Sequence, residues 1–164
     1  MKGIDVPIEA QRAVFEDKLF TGSSSYVAYH RAFVNEKDGL VIPELQTEDS
    51  TEYQEVLLND KIDGHSFFVV RPNIVVADGL LSAKVDIYFA LNLDKLYSSV
   101  SERAVEYAHR DILNLLKRSR FEVFEIVTGL DAFAGFGNVD LKDNMEPFYL
   151  VKFGADIVYQ TSEC

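Results

Sequence analysis

The sequence predicts an α+β fold, in which a mostly antiparallel sheet is packed by an N-terminal helix and one central amphipathic helix. Three observations predict it. Residues 83–92 alternate, with Val85, Ile87, Phe89 and Leu91 on one face and Lys84, Asp86, Tyr88, Ala90 and Asn92 on the other. That period of two marks a strand buried on one side. Residues 102–118 then switch to helical spacing, with Val105, Ala108, Ile112, Leu115 and Leu116 on one stripe. The remaining strand-like runs are joined by turns and loops, which pairs them antiparallel.

Taken in order, residues 1–7 form an extended arm. Pro7 suits the first turn of a helix, Asp5 lies near its cap, and Ile8–Phe20 carries partial helical spacing. Gly22 and the serines that follow end it. Tyr26–Phe33 reads as a strand, with Val27, Tyr29, Arg31 and Phe33 on one face. Residues 35–51 form a long connection whose middle, Gly39–Leu45, is more apolar than a solvated loop needs. Either it packs on its own core or it inserts against a neighbouring subunit.

Glu52–Leu58 and His65–Arg71 read as the two arms of a hairpin, with Asn59-Asp60 and Asp63-Gly64 as turn signals. Phe67–Val70 is apolar on both faces and belongs centrally. Pro72-Asn73 ends that arm, and Ile74–Leu81 is a short strand or a loop around Asp78-Gly79. Ser99 and Glu102 have capping-box spacing for the central helix, with Ser101 as the alternative cap. Glu106 and Arg110 are spaced to pair on its outer face, and Lys117, Arg118 and Arg120 sit where the helix dipole favours cations. Phe121–Thr128 alternates again. Residues 129–146 form a second long connection containing Phe133 and Phe136. Phe148–Tyr159 is the longest strand signal, in which Gly154 marks a bulge or a close approach. The chain reads as one domain, 1–164, without internal repeats.

Composition narrows the function classes. Hydrophobic residues make up 48% of the chain, which excludes disorder for its bulk. A net charge of −11 disfavours gripping nucleic acid by its phosphates or binding an anionic membrane. Such acidity serves solubility, or repels DNA passing close by. The lone Cys164 forms no intrachain disulfide and reads as an incidental thiol. Met1–Pro7 lacks a signal-peptide core, and no apolar run approaches the ~20 residues that span a bilayer.

Catalytic chemistry is not legible. His30, His65 and His109 lie far apart and outside any metal-binding spacing. His109 adjoins the helical stripe and is expected to be half-buried and hydrogen-bonded. Asp140, Asp143, Asn144 and Glu146 do not fit a calcium loop. Gly135-Phe136-Gly137 is a fragment of a dinucleotide fingerprint with no helix after it. There is no nucleophile elbow and no phosphate-binding loop. The expectation is no cofactor, no metal and no catalytic residue.

In element order the chain resembles the tail-terminator (tail-completion) proteins of long-tailed bacteriophages and related neck proteins. The pieces that carry the resemblance are Ile8–Phe20, Tyr26–Arg71, Val85–Leu93, Glu102–Lys117 and Phe148–Tyr159. It implies a non-enzymatic virion protein, assembled in the host cytoplasm as a homo-oligomeric ring, usually hexameric, that meets tail-tube or neck proteins. DNA would pass its acidic lumen without specific binding, and no membrane would be involved. Residues 35–51 and 129–146 would then be contact arms, with Leu40, Val41, Ile42, Pro43, Leu45, Phe133 and Phe136 as the candidate subunit interface. The alternatives are a small-molecule-binding or enzymatic α+β domain, and an adaptor that docks through residues 40–45.

Overall fold

The alternating residues 83–92 do form a strand, and it lies in the middle of the molecule. A computed structural model describes residues 3–21, 25–46, 53–55, 61–136 and 148–160. In chain order the elements are helix α1 (Asp5–Lys18) and strands β1 (Tyr26–Arg31), β2 (Phe33–Lys37), β3 (Leu40–Gln46), β4 (Tyr53–Glu55), β5 (Gly64–Ala77) and β6 (Leu80–Asn92). There follow the single-turn helix α2 (Leu93–Leu96), helix α3 (Ala104–Leu116), and strands β7 (Glu122–Thr128) and β8 (Phe148–Tyr159). Short 3-10 turns occupy Ser101–Arg103 and Gly129–Phe133. The class is α+β, as the sequence predicts.

The main sheet has five strands in the order β1-β5-β6-β8-β7. Only β1 and β5 run parallel; every other neighbour is antiparallel. A second sheet, β2-β3-β4, fills the chain between that parallel pair. A parallel pair needs a long crossover, and here a small sheet supplies it instead of a helix.

One face of the main sheet carries the helices. Val85, Ile87, Phe89 and Leu91 of β6 point there, together with Val151, Phe153, Ala155 and Ile157 of β8. Ile8 and Phe15 of α1 and Ala108, Ile112 and Leu116 of α3 close over them. The α3 stripe is a strict fourfold spacing, Ala104, Ala108, Ile112 and Leu116. Val105, expected on that stripe, faces solvent, because the start of α3 turns Ala104 inward instead.

The other face of β6 is the main departure from the sequence reading. A strand buried on one side is expected, yet Asp86, Tyr88, Ala90 and Asn92 are buried too. The cover is an aromatic cluster. Phe67, Tyr88, Phe133, Phe136 and Leu150 pack together, with Ala32 and Leu45 from the chain of the small sheet. Phe133 meets Tyr88 edge-on at 5.3 Å between ring centroids, and Phe67 stacks on Tyr88 at 5.0 Å. The molecule is therefore three layers deep: helices, main sheet, and a cap of small sheet and 3-10 turn.

Several local expectations are corrected. α1 begins at Asp5 rather than Ile8, with Ile4 at its N-cap and no side-chain cap. The connection 35–51 contains strand β3, which pairs with β2 across Asp38-Gly39; both turn residues have positive φ, at 53° and 77°. Positive φ at both central residues is the geometry that lets a two-residue turn follow the twist of its strands. Residues 47–51 lie outside the described residues. Tyr53–Glu55 pairs with β3 and not with residues 65–71, whose partners are β1 and β6. Pro72-Asn73 does not end β5. The strand absorbs them in a register shift between Val70 and Ile74 and continues to a second Asp-Gly turn at Asp78-Gly79. Ser99 and Glu102 do not cap α3, whose N-cap is Arg103 without a side-chain bond. Arg110 pairs with Asp111 at 3.0 Å rather than with Glu106. The second connection opens as a 3-10 turn at Gly129–Phe133; residues 137–146, with Asp140, Asp143, Asn144 and Glu146, lie outside the described residues, as do Gly22 and Cys164.

The cap is thus a second core rather than a loose loop. Phe133→Ala is expected to cost about 3–5 kcal/mol, as truncation of a buried phenylalanine does, whereas Val105→Ala should stay within about 0.5 kcal/mol. Urea denaturation of the two variants checks this. Equal, small losses would mean that the cap does not contribute to the fold.

Candidate interaction surface

The groups that could carry chemistry are mostly committed to one another. His109 on α3 is half-buried, hydrogen-bonded through Nε2 to the Tyr149 hydroxyl at 2.8 Å, and edge-on to Phe153. Burial lowers its pKa. His65 is buried on the capped face between Tyr29 and Phe67. His30 is exposed and lies 2.6 Å from Glu9 of α1. The three histidines stay apart, and among the described residues no group of His, Cys, Asp and Glu is placed to hold a metal ion. A cleft of about 440 Å³ lies between the end of α1 and α3. Two of its polar groups pair with each other: the Tyr97 hydroxyl donates to Asp111 at 2.8 Å. Burial and that carboxylate raise the Tyr97 pKa.

Beyond the aromatic cap, the same face of the sheet carries a charged network. Arg71 donates to both oxygens of Asp86, at 3.0 and 2.8 Å, and to Glu125 at 2.6 Å. Asp86 is buried, so the two-pronged guanidinium supplies the partner that a buried carboxylate requires. Hydrogen bonds to Asp86 raise the Arg71 pKa. Phe124 is flanked by Lys84, 4.3 Å from its ring centroid, and by Arg71 at 5.4 Å. Gly154 makes room for this arrangement. A Cβ there would lie 2.7 Å from Glu125 Cγ and 2.9 Å from Phe124 Cζ, opposite the register shift between Val123 and Glu125. The bulge and close approach expected at Gly154 are both present.

What remains available is apolar surface. The candidate interface residues divide sharply. Pro43, Leu45, Phe133 and Phe136 are buried within their own chain, Val41 and Ile42 are half-buried, and Leu40 is exposed. At the far end of the β2–β3 hairpin from Leu40, Phe33 and Val34 are exposed. A larger exposed group went unpredicted: Ile74, Val75 and Val76 of β5, 49%, 60% and 71% exposed, with Leu80 and Val158 beside them. The signal was present as Ile-Val-Val-Ala directly before Asp-Gly, an uncharged strand half ending in a hairpin turn.

The main sheet also ends in open strand edges. β1 pairs with β5 only as far as Phe68, so the outer edge of β5 from Val69 to Ala77 has no strand neighbour among the described residues. At the opposite side, β7 pairs with β8 and with no other strand among the described residues. Its outer edge borders a groove of about 730 Å³ under the end of α3, lined by Leu113, Leu116, Phe121, Val123 and Ile126, with Lys117 at the rim. Lys117, Arg118 and Arg120 cluster there, exposed, and make no ion pair among the described residues.

No family model, curated protein or solved structure matches this chain.

His109 gives the surface a pH signature. Its folded pKa lies below the ordinary value near 6.5, so the unfolded chain binds the proton more readily. Its contribution is fully present above that value and is lost as pH falls through the lowered folded one. Denaturation between pH 7.5 and 5 should therefore show wild type losing stability relative to His109→Gln as the pH drops. An unchanged difference would refute a proton-sensitive role for His109.

Proposed function

We propose that this chain is a ring-forming structural subunit of a phage tail terminator or head–tail connector, assembled in the host cytoplasm and resident in the virion. The observation that carries the reading is the placement of its free apolar surface. Ile74, Val75 and Val76 are exposed on the half of β5 that runs past β1, and Phe124 and Ile126 are exposed on β7 at the opposite side of the same sheet. A long apolar strand edge is a template for pairing with another chain and is normally blunted with charge when a protein stays monomeric.

Two further features support the reading. The element order, an N-terminal helix, a strand leading into an amphipathic helix and a long closing strand, is the basis of the resemblance to those proteins. A net charge of −11 suits a ring around DNA, because a negative lumen lets the duplex slide without adhering. In this reading the partners are further copies of the chain and tail-tube or neck proteins. Among the described residues of the expected contact arms, the β2–β3 hairpin, with exposed Leu40 and half-buried Val41 and Ile42, is the part that can reach them.

Sedimentation velocity combined with negative-stain microscopy of the purified full chain tests this. A discrete closed ring that leaves duplex DNA unretarded at physiological salt is the expected result. A chain that stays monomeric as its concentration rises, or that retards DNA, would contradict it.

A further inference from the structure

We infer that the subunit contact is a sheet-edge joint, in which the β7 edge and α3 groove of one copy receive the free half of β5 from a second copy. This deepens the assembly reading above and rests on it.

The two edges fit each other in direction. β5 and β8 run one way through the sheet, β6 and β7 the other. Placing β5 of a second copy beside β7, with both sheets facing alike, makes an antiparallel pair, so the sheet continues from copy to copy. In that arrangement the Glu122 end of β7 meets the Ala77 end of β5.

They also fit in side-chain chemistry. Ile74 is opposite Ala83 and Val76 opposite Leu81 in the β5–β6 register, and both partners belong to the helix-side core. Cross-strand partners share a face, so Ile74 and Val76 project toward the helix layer. At the joint they enter the groove walled by Leu113, Leu116, Phe121, Val123 and Ile126.

Charge selects a second copy as the occupant. Lys117 lines the groove together with Glu122 and Glu125, of which Glu125 is paired to Arg71, and Arg118 and Arg120 follow Lys117 in sequence as further exposed cations on a chain of net charge −11. The β5–β6 hairpin carries no cation between Pro72 and Leu81 and bears Asp78 at its tip. Antiparallel pairing brings Asp78 to the Lys117–Arg120 corner, where opposite charges steer and orient the contact. The two edges lie on opposite sides of one sheet. The joint is therefore head-to-tail, the interface type that closes into a ring when its rotation permits and otherwise grows a filament.

The test uses full-length variants blocked at one edge each. Val76→Lys disables the β5 side and Ile126→Lys the β7 side, and circular dichroism confirms their folding. Neither variant alone should assemble. Mixed, they should form a one-to-one pair, because one intact β5 edge and one intact β7 edge remain between them. Asp78→Lys should weaken wild-type assembly at least about tenfold, and Lys117→Glu with Arg120→Glu on the same chain should restore it. That charge reversal carries the test if either lysine variant fails to fold.

Both edge variants assembling like wild type would overturn the joint while leaving the ring intact. Wild-type filaments that vanish in the edge variants would support the joint and overturn the closed ring. A wild-type chain that never self-associates would overturn both, and would leave the groove to a strand from a different protein.

Discussion

Strand β6 is the constraint on which the rest depends. It is hydrogen-bonded along both sides, to β5 from Gly64 to Ala77 and to β8 from Phe148 to Tyr159, and its stretch from Val85 to Asn92 is buried on both faces. A strand so enclosed must have every polar group provided for. Asp86 is the polar side chain that this burial makes expensive. The bidentate bond from Arg71, the approach of Glu125 and the missing Cβ at Gly154 are all arranged around it. The packing of the capped face and the bulge in β7 are thus linked through one carboxylate.

The same arrangement engages several polar and aromatic side chains within the chain itself. Tyr26 of β1 bonds Ser66 of β5 at 2.6 Å, Tyr97 bonds Asp111 on α3, and His109 of α3 bonds Tyr149 of β8 across the helix–sheet interface. Aromatic side chains that a loop could have shown to a partner, Phe133 and Phe136, are drawn onto Tyr88 and Phe67. Exposed apolar side chains then gather where the sheet runs past its cover, on the far half of β5 and along β7. The free edge of β5 follows from the lengths of the strands: β5 is much longer than the β1 that flanks it.

Much of the fold was legible because it rests on local periodicity. The alternation of β6 and β8 and the stripe of α3 are properties of each segment alone. What was not legible depends on what comes from far away. Residues 86, 88 and 90 read as solvent-facing since nothing nearby in sequence announces that Phe133 and Phe136 return to cover them. The pairing of β5 with β1, rather than with Tyr53–Glu55, is likewise a nonlocal choice. Two misses had local signals: Asp38-Gly39 between strand-like runs marks the β2–β3 hairpin, and Ile74–Ala77 before Asp78-Gly79 marks the far half of β5. Pro72 obscured the latter, since a proline usually ends a strand, and here it sits at a register shift on an edge that needs no donor.

Native-state amide hydrogen exchange addresses the central position of β6 most directly. Amides of Val85–Leu91 should exchange only through global unfolding, with the free energy measured by denaturant, while those on the outer edge of β7 open at lower cost. Exchange of the Val85–Leu91 amides through a local opening well below the global free energy would contradict a strand buried on both faces and paired on both sides.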